Sequence, residues 1–173
     1  MKKIFIIIIL ALMICFSSCG NNNQSSYSVL MSLLSAIPSD GSTSLPSGRI
    51  YYYYAEGENT NIYESPESKA NILECPLATS LFGKSGCSQT EYPVEFGLIK
   101  NCAVWISSSL EFPCEISVFK VKSIKDTSSI CKMLIRRLDT LKKFFRETEY
   151  YDMLERVSVS VSGDIIILAI INQ

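Results

Sequence analysis

Cysteine is the residue type with the widest chemistry in this 173-residue chain, which contains seven cysteines and no histidine. The lack of histidine excludes the usual Ser-His and Cys-His nucleophile pairs and histidine-based metal sites. No two cysteines have the C-x-x-C spacing of zinc ribbons or thioredoxin-type redox sites. Acidic pairs such as Glu56 and Glu58 have ordinary surface spacing, and no S-x-x-K stretch is accompanied by the motifs of a Ser-Lys enzyme. The sequence therefore predicts no catalytic residue, no metal and no cofactor.

Cys19 ends a segment with the composition of an export signal. Lys2 and Lys3 precede an apolar run over residues 4–16, and two serines then lead into the cysteine. This pattern resembles a bacterial lipoprotein signal ending in a lipobox, in which diacylglycerol on Cys19 becomes the membrane anchor. An ordinary cleaved signal and an uncleaved N-terminal anchor are the alternatives, although the run is shorter than the ~20 apolar residues that span a bilayer core.

With this signal, the chain is expected to divide into three segments. Residues 1–18 form the signal peptide, 19–26 the lipidated cysteine and a flexible tether, and 27–173 a single α+β domain. The mature chain, about 155 residues long, matches one domain in length. We therefore expect a lipoprotein on the outer face of the bacterial cytoplasmic membrane, where nucleic acid is not a partner.

Five cysteines remain in the expected domain. Cys75 and Cys87 are the pair that we expect to form a disulfide if one is present. Cys102, Cys114 and Cys131 lie in or beside predicted strands and a helix, where cysteine commonly packs as a small apolar residue.

Four consecutive tyrosines, Tyr51, Tyr52, Tyr53 and Tyr54, precede an acidic polar stretch. Tyrosine combines a flat apolar face with a hydrogen-bonding tip, so the run is a candidate for ligand contact by stacking against sugars or bases. The alternative interpretation is a strand that turns two tyrosines inward and two outward.

Charge is segregated along the chain, since residues 120–146 contain nine basic and two acidic residues. Lys132, Arg136 and Lys143 share the polar face of the helix predicted in this region. Such a face is a candidate contact for anionic lipid headgroups or wall polymers. Alternatively, these side chains only solvate the outer surface of the helix.

The clearest periodicity lies in the C-terminal part of the chain. Residues 115–122 alternate as a strand, apolar residues recur every three or four positions over 130–145, and residues 157–161 alternate again before a turn at Gly163. The predicted fold class is therefore α+β, a two-layer domain with an antiparallel sheet of about four strands packed on one long helix, plus short N-terminal helices. The strands are expected near 102–107, 115–121, 157–162 and 165–171, and the helix at 126–145.

From Leu45 onward, about three quarters of the chain resembles the DUF4358 family, short lipoproteins of clostridial bacteria with no assigned function. The stretches that carry the resemblance are LPSGRIY at 45–51, LFG at 81–83, AVWIS at 103–107, EISVFK at 115–120, RRL at 136–138 and residues 157–171. These stretches indicate how the chain folds and carry no information about chemistry. The resemblance implies an exported lipoprotein and transfers no catalytic residue.

Two functions agree with these features. The first is a membrane-tethered, non-enzymatic binding or interaction module of the cell envelope, anchored through Cys19, with an envelope protein or wall polymer as its partner. The second is a histidine-free envelope enzyme or accessory factor that acts on cell-wall material. An apolar cleft near the tyrosine run would favour the first, whereas carboxylates converging in a deep pocket would favour the second.

Overall fold

The structure, a computed structural model, describes residues 24–37, 46–55, 69–71, 81–82, 93–109 and 111–171. The helices and strands in these ranges are α1 (Ser26–Ser35), β1 (Gly48–Tyr54), β2 (Lys69–Asn71), β3 (Ile99–Ser107), β4 (Glu115–Val121), α2 (Thr127–Phe144), α3 (Tyr151–Glu155), β5 (Val159–Ser162) and β6 (Ile165–Ile170). Short 3-10 helices at Val94–Leu98 and Ile124–Asp126 lead into β3 and α2.

Within the described ranges, six strands form one open sheet in the order β2-β1-β3-β4-β6-β5. All neighbouring strands pair antiparallel except β1 and β2, which pair in parallel. β3 and β4 form a hairpin, and so do β5 and β6, where Gly163 has a φ of 59° in a two-residue turn. Glycine adopts this positive φ without the steric penalty of a Cβ, so its position fixes the register of the last hairpin.

α2 covers one face of the sheet because its apolar residues recur on one stripe. Residues three and four positions apart share a face of an α-helix, and Ile130, Met133 and Leu134 are accordingly buried. They belong to the larger of the two hydrophobic cores among the described residues. In this core the rings of Phe82 and Phe119 meet edge to face, with their centroids 5.3 Å apart.

α1 covers the opposite face of the sheet. Its residues Val29, Leu30 and Leu33 belong to a second core together with Trp105 of β3 and Ile116 of β4. Every residue of β4 is buried, which agrees with a helix packed on each face of the sheet. The domain therefore has three layers, with the sheet in the middle.

The predicted α+β class, with an antiparallel sheet and one long helix, is confirmed. The four predicted strands and the predicted helix match β3 to β6 and α2 within three residues at each end. The sheet is wider than about four strands, because the tyrosine run joins it as β1 beside β3 and β2 then adds to its edge. A third layer is present instead of two, because the apolar stripe of the N-terminal helix packs on the second face of the sheet.

Candidate ligand-binding cleft

A cleft of about 660 Å³ opens at the end of the sheet where β3 finishes and β4 starts. One wall is the C-terminal half of α2 with the residue that follows it, and it contributes Leu141, Phe144 and Phe145. The facing wall comprises the end of β3, residues 107–109 and 112–114, and the start of β1. Small-molecule sites in proteins occupy roughly 300–1,000 Å³. The cleft is therefore the candidate functional site of the described structure.

A buried ion pair lies in the lining of the cleft. The Glu115 carboxylate accepts a hydrogen bond from Arg137 Nε at 2.9 Å through its Oε2 atom, and Arg137 Nη2 lies 2.9 Å from the same oxygen. The other carboxylate oxygen, Oε1, accepts from Ser117 Oγ at 2.6 Å. Glu115 is only 1% exposed, so both oxygens have their partners inside the protein. Glu115 is thereby held as the acceptor of an ion pair, which leaves no free carboxylate in this position.

Arg49 brings a second positive charge to the cleft. It lies in β1 opposite Ile106 of β3, on the same face of the sheet as Tyr51. Its side chain is exposed and forms no ion pair with any residue that the structure describes. Two arginines against one glutamate leave the described lining with a net charge of plus one. The electrostatics of the cleft therefore favour an anion.

Aromatic side chains supply the apolar part of the cleft. The rings of Phe144 and Phe145 have centroids 4.9 Å apart, and Phe145 also meets Tyr150 at 5.9 Å. Phe112 approaches the same tyrosine from the loop before β4, at 6.4 Å. The Phe144 side chain is nevertheless 73% exposed. An exposed aromatic ring beside an apolar cleft is typical of a surface that contacts a ligand.

The tyrosine run forms β1, and its rings are divided between the two faces of the sheet. Tyr51 and Tyr53 pack against the core beneath α2, and Tyr51 lines the cleft. Tyr52 and Tyr54 lie on the face that α1 covers, with ring centroids 6.1 Å apart. Burial is the main cause that raises the pKa of both Tyr53 and Tyr54, so these phenols stay neutral at neutral pH. The four rings are therefore not one platform, and Tyr51 is the member that reaches the cleft.

The three basic residues of the predicted anionic-surface contact have different surroundings. Lys132 and Lys143 are exposed on α2. Arg136 instead forms a salt bridge, in which Glu95 Oε1 accepts a hydrogen bond from Arg136 Nη2 at 2.6 Å. Glu95 is buried, so this pair attaches α2 to the 3-10 helix Val94–Leu98. Two of the three basic groups therefore remain in contact with solvent.

The thiols in the described residues are poorly suited to nucleophilic chemistry. Cys102 is buried and unbridged, and its burial raises the pKa of its thiol. Burial likewise raises the pKa of Cys131. Since the thiolate is the reactive form of cysteine, both side chains act as small apolar groups at neutral pH. Cys114 lines the cleft and is also buried.

Two predicted sites lie outside the described residues, namely lipid attachment at Cys19 and a disulfide between Cys75 and Cys87. Within the described ranges, no three or more Cys, Asp or Glu side chains are grouped so as to hold a metal ion. None of the helices in those ranges has both the length and the apolar composition needed to cross a bilayer.

The ion pair of the cleft was not predicted, although the sequence contains a signal for each partner. Glu115 has the same parity as Phe119 in β4, so strand alternation places it on the face that α2 covers. Arg137 stands three residues after Leu134 and four before Leu141, within the apolar stripe of α2. Charged residues are rarely buried without a partner. A charge in an inward position on each of two packed elements therefore indicates a pair.

The fold and the cleft define an α+β domain whose sheet is covered on both faces and whose candidate binding site lies at one end of the strands. No protein-family profile, curated protein or solved structure matches the chain. The resemblance to the DUF4358 family therefore stays a prediction.

Proposed function

We propose that this protein is a lipoprotein on the outer face of the bacterial cytoplasmic membrane, and that its domain binds an envelope ligand without transforming it. The ligand class is a small amphipathic carboxylate. The observation that carries the proposed binding function is the cleft, which combines apolar and aromatic walls with a net positive charge. A pocket with mostly apolar walls and few polar groups is the usual form of a small-molecule site.

The charges of the cleft favour binding over the alternative of a histidine-free enzyme. Glu115 is the one carboxylate among the described lining residues, and it is already engaged by Arg137 and Ser117. Acid and base catalysis by carboxylates needs a group that is free to exchange a proton with the substrate. Arg49, in contrast, offers a guanidinium that no described acidic residue neutralises, and such a group pairs well with a carboxylate.

The two parts of the ligand would contact different walls. Its carboxylate would meet Arg49 at the start of β1, while its apolar part would lie against Leu141 of α2 and Phe145 just after it. Hydrogen bonds to charged groups contribute about 1.5–3 kcal/mol each. Loss of the Arg49 charge should therefore weaken binding by roughly tenfold or more.

Naphthoate is a suitable probe because it joins a flat apolar ring system to one carboxylate. We would measure its binding by equilibrium dialysis against vesicles that carry the full chain, with protein-free vesicles to correct for partition into lipid. The wild type should bind naphthoate more tightly than it binds the neutral analogue naphthylmethanol. Arg49→Met should remove this difference, because methionine keeps the apolar stem of the side chain and loses its charge.

Lys132→Met is the matched control, since Lys132 is an exposed cation on α2 that does not line the cleft. This variant should bind naphthoate like the wild type. Equal binding of naphthoate and naphthylmethanol by the wild type, or equal losses in the two variants, would refute the proposed ligand class.

The location is tested through Cys19. Mass spectrometry of membrane fractions should detect a diacylglycerol-modified cysteine at the mature N-terminus, and Cys19→Ala should remove both the modification and stable membrane attachment. An unmodified N-terminus in wild-type membranes would show that the lipoprotein proposal is wrong.

A further inference from the structure

The chain enters the domain at a fixed point on the sheet. Ser26 N donates to Asn101 Oδ1 at 2.8 Å, and Ser26 Oγ donates to the Asn101 carbonyl oxygen at 3.0 Å. Lys120 Nζ donates to the carbonyl oxygen of Gln24 at 2.8 Å and lies 3.6 Å from Asp164 Oδ2. Ser26 and Lys120 are buried, so water has little access to these bonds. Gln24 is therefore held at the end of the sheet where β3 starts and β4 finishes.

The lipid attachment proposed at Cys19 stands five residues before Gln24. Five residues of extended chain span at most about 18 Å. The inference rests on the proposed function at this point, because the distance matters only if Cys19 is anchored in the bilayer. The Gln24 end of the sheet must then lie close to the lipid headgroups, whereas the cleft lies at the opposite end of β4, about 20 Å along the strand.

The Gln24 end of the domain also presents a basic loop with an exposed apolar side chain. Lys122 directly follows β4, and Lys125 lies three residues further on. Both lysines are exposed, and Ile124 between them is 68% exposed. Lys122 Nζ donates to the carbonyl oxygen of Gly97 at 2.9 Å. This bond brings the 3-10 helix Val94–Leu98 beside the loop, and Val94 is 80% exposed.

We infer that the surface formed by Lys122, Ile124 and Lys125 docks on the anionic headgroups of the membrane that holds the anchor. Lysines close to an anionic leaflet are attracted by its negative surface potential, and an exposed aliphatic side chain between them enters the interface. Two acidic residues lie at this end of the domain, the half-buried Asp126 and Asp164, which stands 3.6 Å from Lys120 Nζ. Together with Lys120, the two exposed lysines outnumber them. Docking through this surface directs the cleft away from the bilayer, toward ligands in the envelope.

Two tryptophan substitutions test this orientation, one in the 3-10 helix just before α2 and one at the last residue of α2. Ile124→Trp places an indole in the docking surface, and Phe144→Trp places one at a similarly exposed position at the far end of α2, a helix of 18 residues and about 27 Å. The lipid-modified full chain would be reconstituted into vesicles of phosphatidylcholine and phosphatidylglycerol whose acyl chains carry bromine, which quenches nearby tryptophan. The buried Trp105 contributes the same background to both variants.

Brominated lipid should quench the emission that Ile124→Trp adds and should leave the emission that Phe144→Trp adds unchanged. Adding Lys122→Gln and Lys125→Gln to Ile124→Trp should reduce the quenching, and so should 1 M salt, at which the Debye length is about 3 Å. Equal quenching of the two tryptophan variants, stronger quenching at position 144, or no dependence on the two lysines would overturn the inference.

Mass spectrometry of the same samples separates this inference from the proposed function. If Cys19 carries lipid and the two variants are quenched alike, the docking surface is wrong and the anchor stands. If Cys19 carries no lipid, the anchor and the orientation that depends on it are both wrong.

Discussion

Replacing Gly48 with alanine tests the close packing of β1 against the single tryptophan of the chain. A Cβ on Gly48 would lie 2.4 Å from Cε2 and Nε1 of Trp105 and 2.6 Å from its Cζ2. Ordinary contacts of a Cβ begin at 3.4 Å, so the two groups must separate by about 1 Å, the difference between 3.4 and 2.4 Å. Trp105 is 6% exposed and packed in the core beneath α1, which limits its freedom to move.

The expected loss of stability follows from two opposing effects. Overpacking a filled core costs about 1–3 kcal/mol. Alanine in place of glycine restricts the unfolded chain, which offsets about 0.4–1 kcal/mol of that cost. We therefore expect Gly48→Ala to lower the free energy of unfolding by about 1–2 kcal/mol, and the melting temperature by about 2–8 °C for a domain of this size.

Gly97→Ala is the matched control, because a Cβ at Gly97 has no other atom within 4 Å. It should leave stability unchanged or raise it slightly. Thermal unfolding followed by Trp105 emission measures both variants, and the native emission spectrum should shift only in Gly48→Ala. Equal melting temperatures for the two variants, with an unshifted spectrum in Gly48→Ala, would refute the packing of Trp105 on β1.

Three further predictions concern the cleft and its surroundings. Arg137→Met should lower the free energy of unfolding in urea by about 3–5 kcal/mol, because Glu115 is then buried without its cation. Adding Glu115→Leu to this variant should restore most of the lost stability. A double variant as unstable as Arg137→Met alone would contradict the role of the ion pair. Burial raises the pKa of Cys102, so the folded protein keeps a thiol proton that the unfolded chain releases above about pH 8.5. The contribution of this thiol to the free energy of unfolding is therefore complete below that pH and declines as pH rises. Cys102→Ala should make this decline less steep by about 1.4 kcal/mol per pH unit, and parallel stability curves would show that the thiol does not contribute. Phe144→Ser should change the free energy of unfolding by less than about 0.5 kcal/mol but weaken naphthoate binding, and unchanged dialysis would exclude Phe144 from the site.

The sequence predicted best those elements whose apolar residues recur with a clear period. β5 alternates and α2 has an apolar stripe, so their types and approximate ends follow from the pattern. β1 was harder to place in the sheet, because four tyrosines in succession present the same side chain to both faces and leave no alternation to detect. Its partner β3 is buried at most positions, so neither strand indicates which of its faces meets which helix.

The cleft could not be predicted in the same way, because it is made of parts that lie far apart in the sequence. Arg49 and Arg137 line the same cleft only because β1 pairs with β3 and α2 crosses the same end of the sheet. Neither the width of the sheet nor the angle of the helix is encoded in a local pattern. The charges at the inward positions Glu115 and Arg137 were the one local signal, and they indicate a contact between two elements without indicating the space beside it.

The attachment of Gln24 to Lys120 also has a mechanical consequence. If the chain is pulled from its N-terminus, the load reaches Lys120 through Gln24 before it enters α1, and Asn101 takes part of it at Ser26, the first residue of α1. Lys120 lies in β4, which pairs with β3 on one side and β6 on the other, so the load spreads across paired strands. α1 is thereby protected from being peeled off the face that it covers, and tension in the N-terminal segment would have to break buried hydrogen bonds before it could unfold the domain.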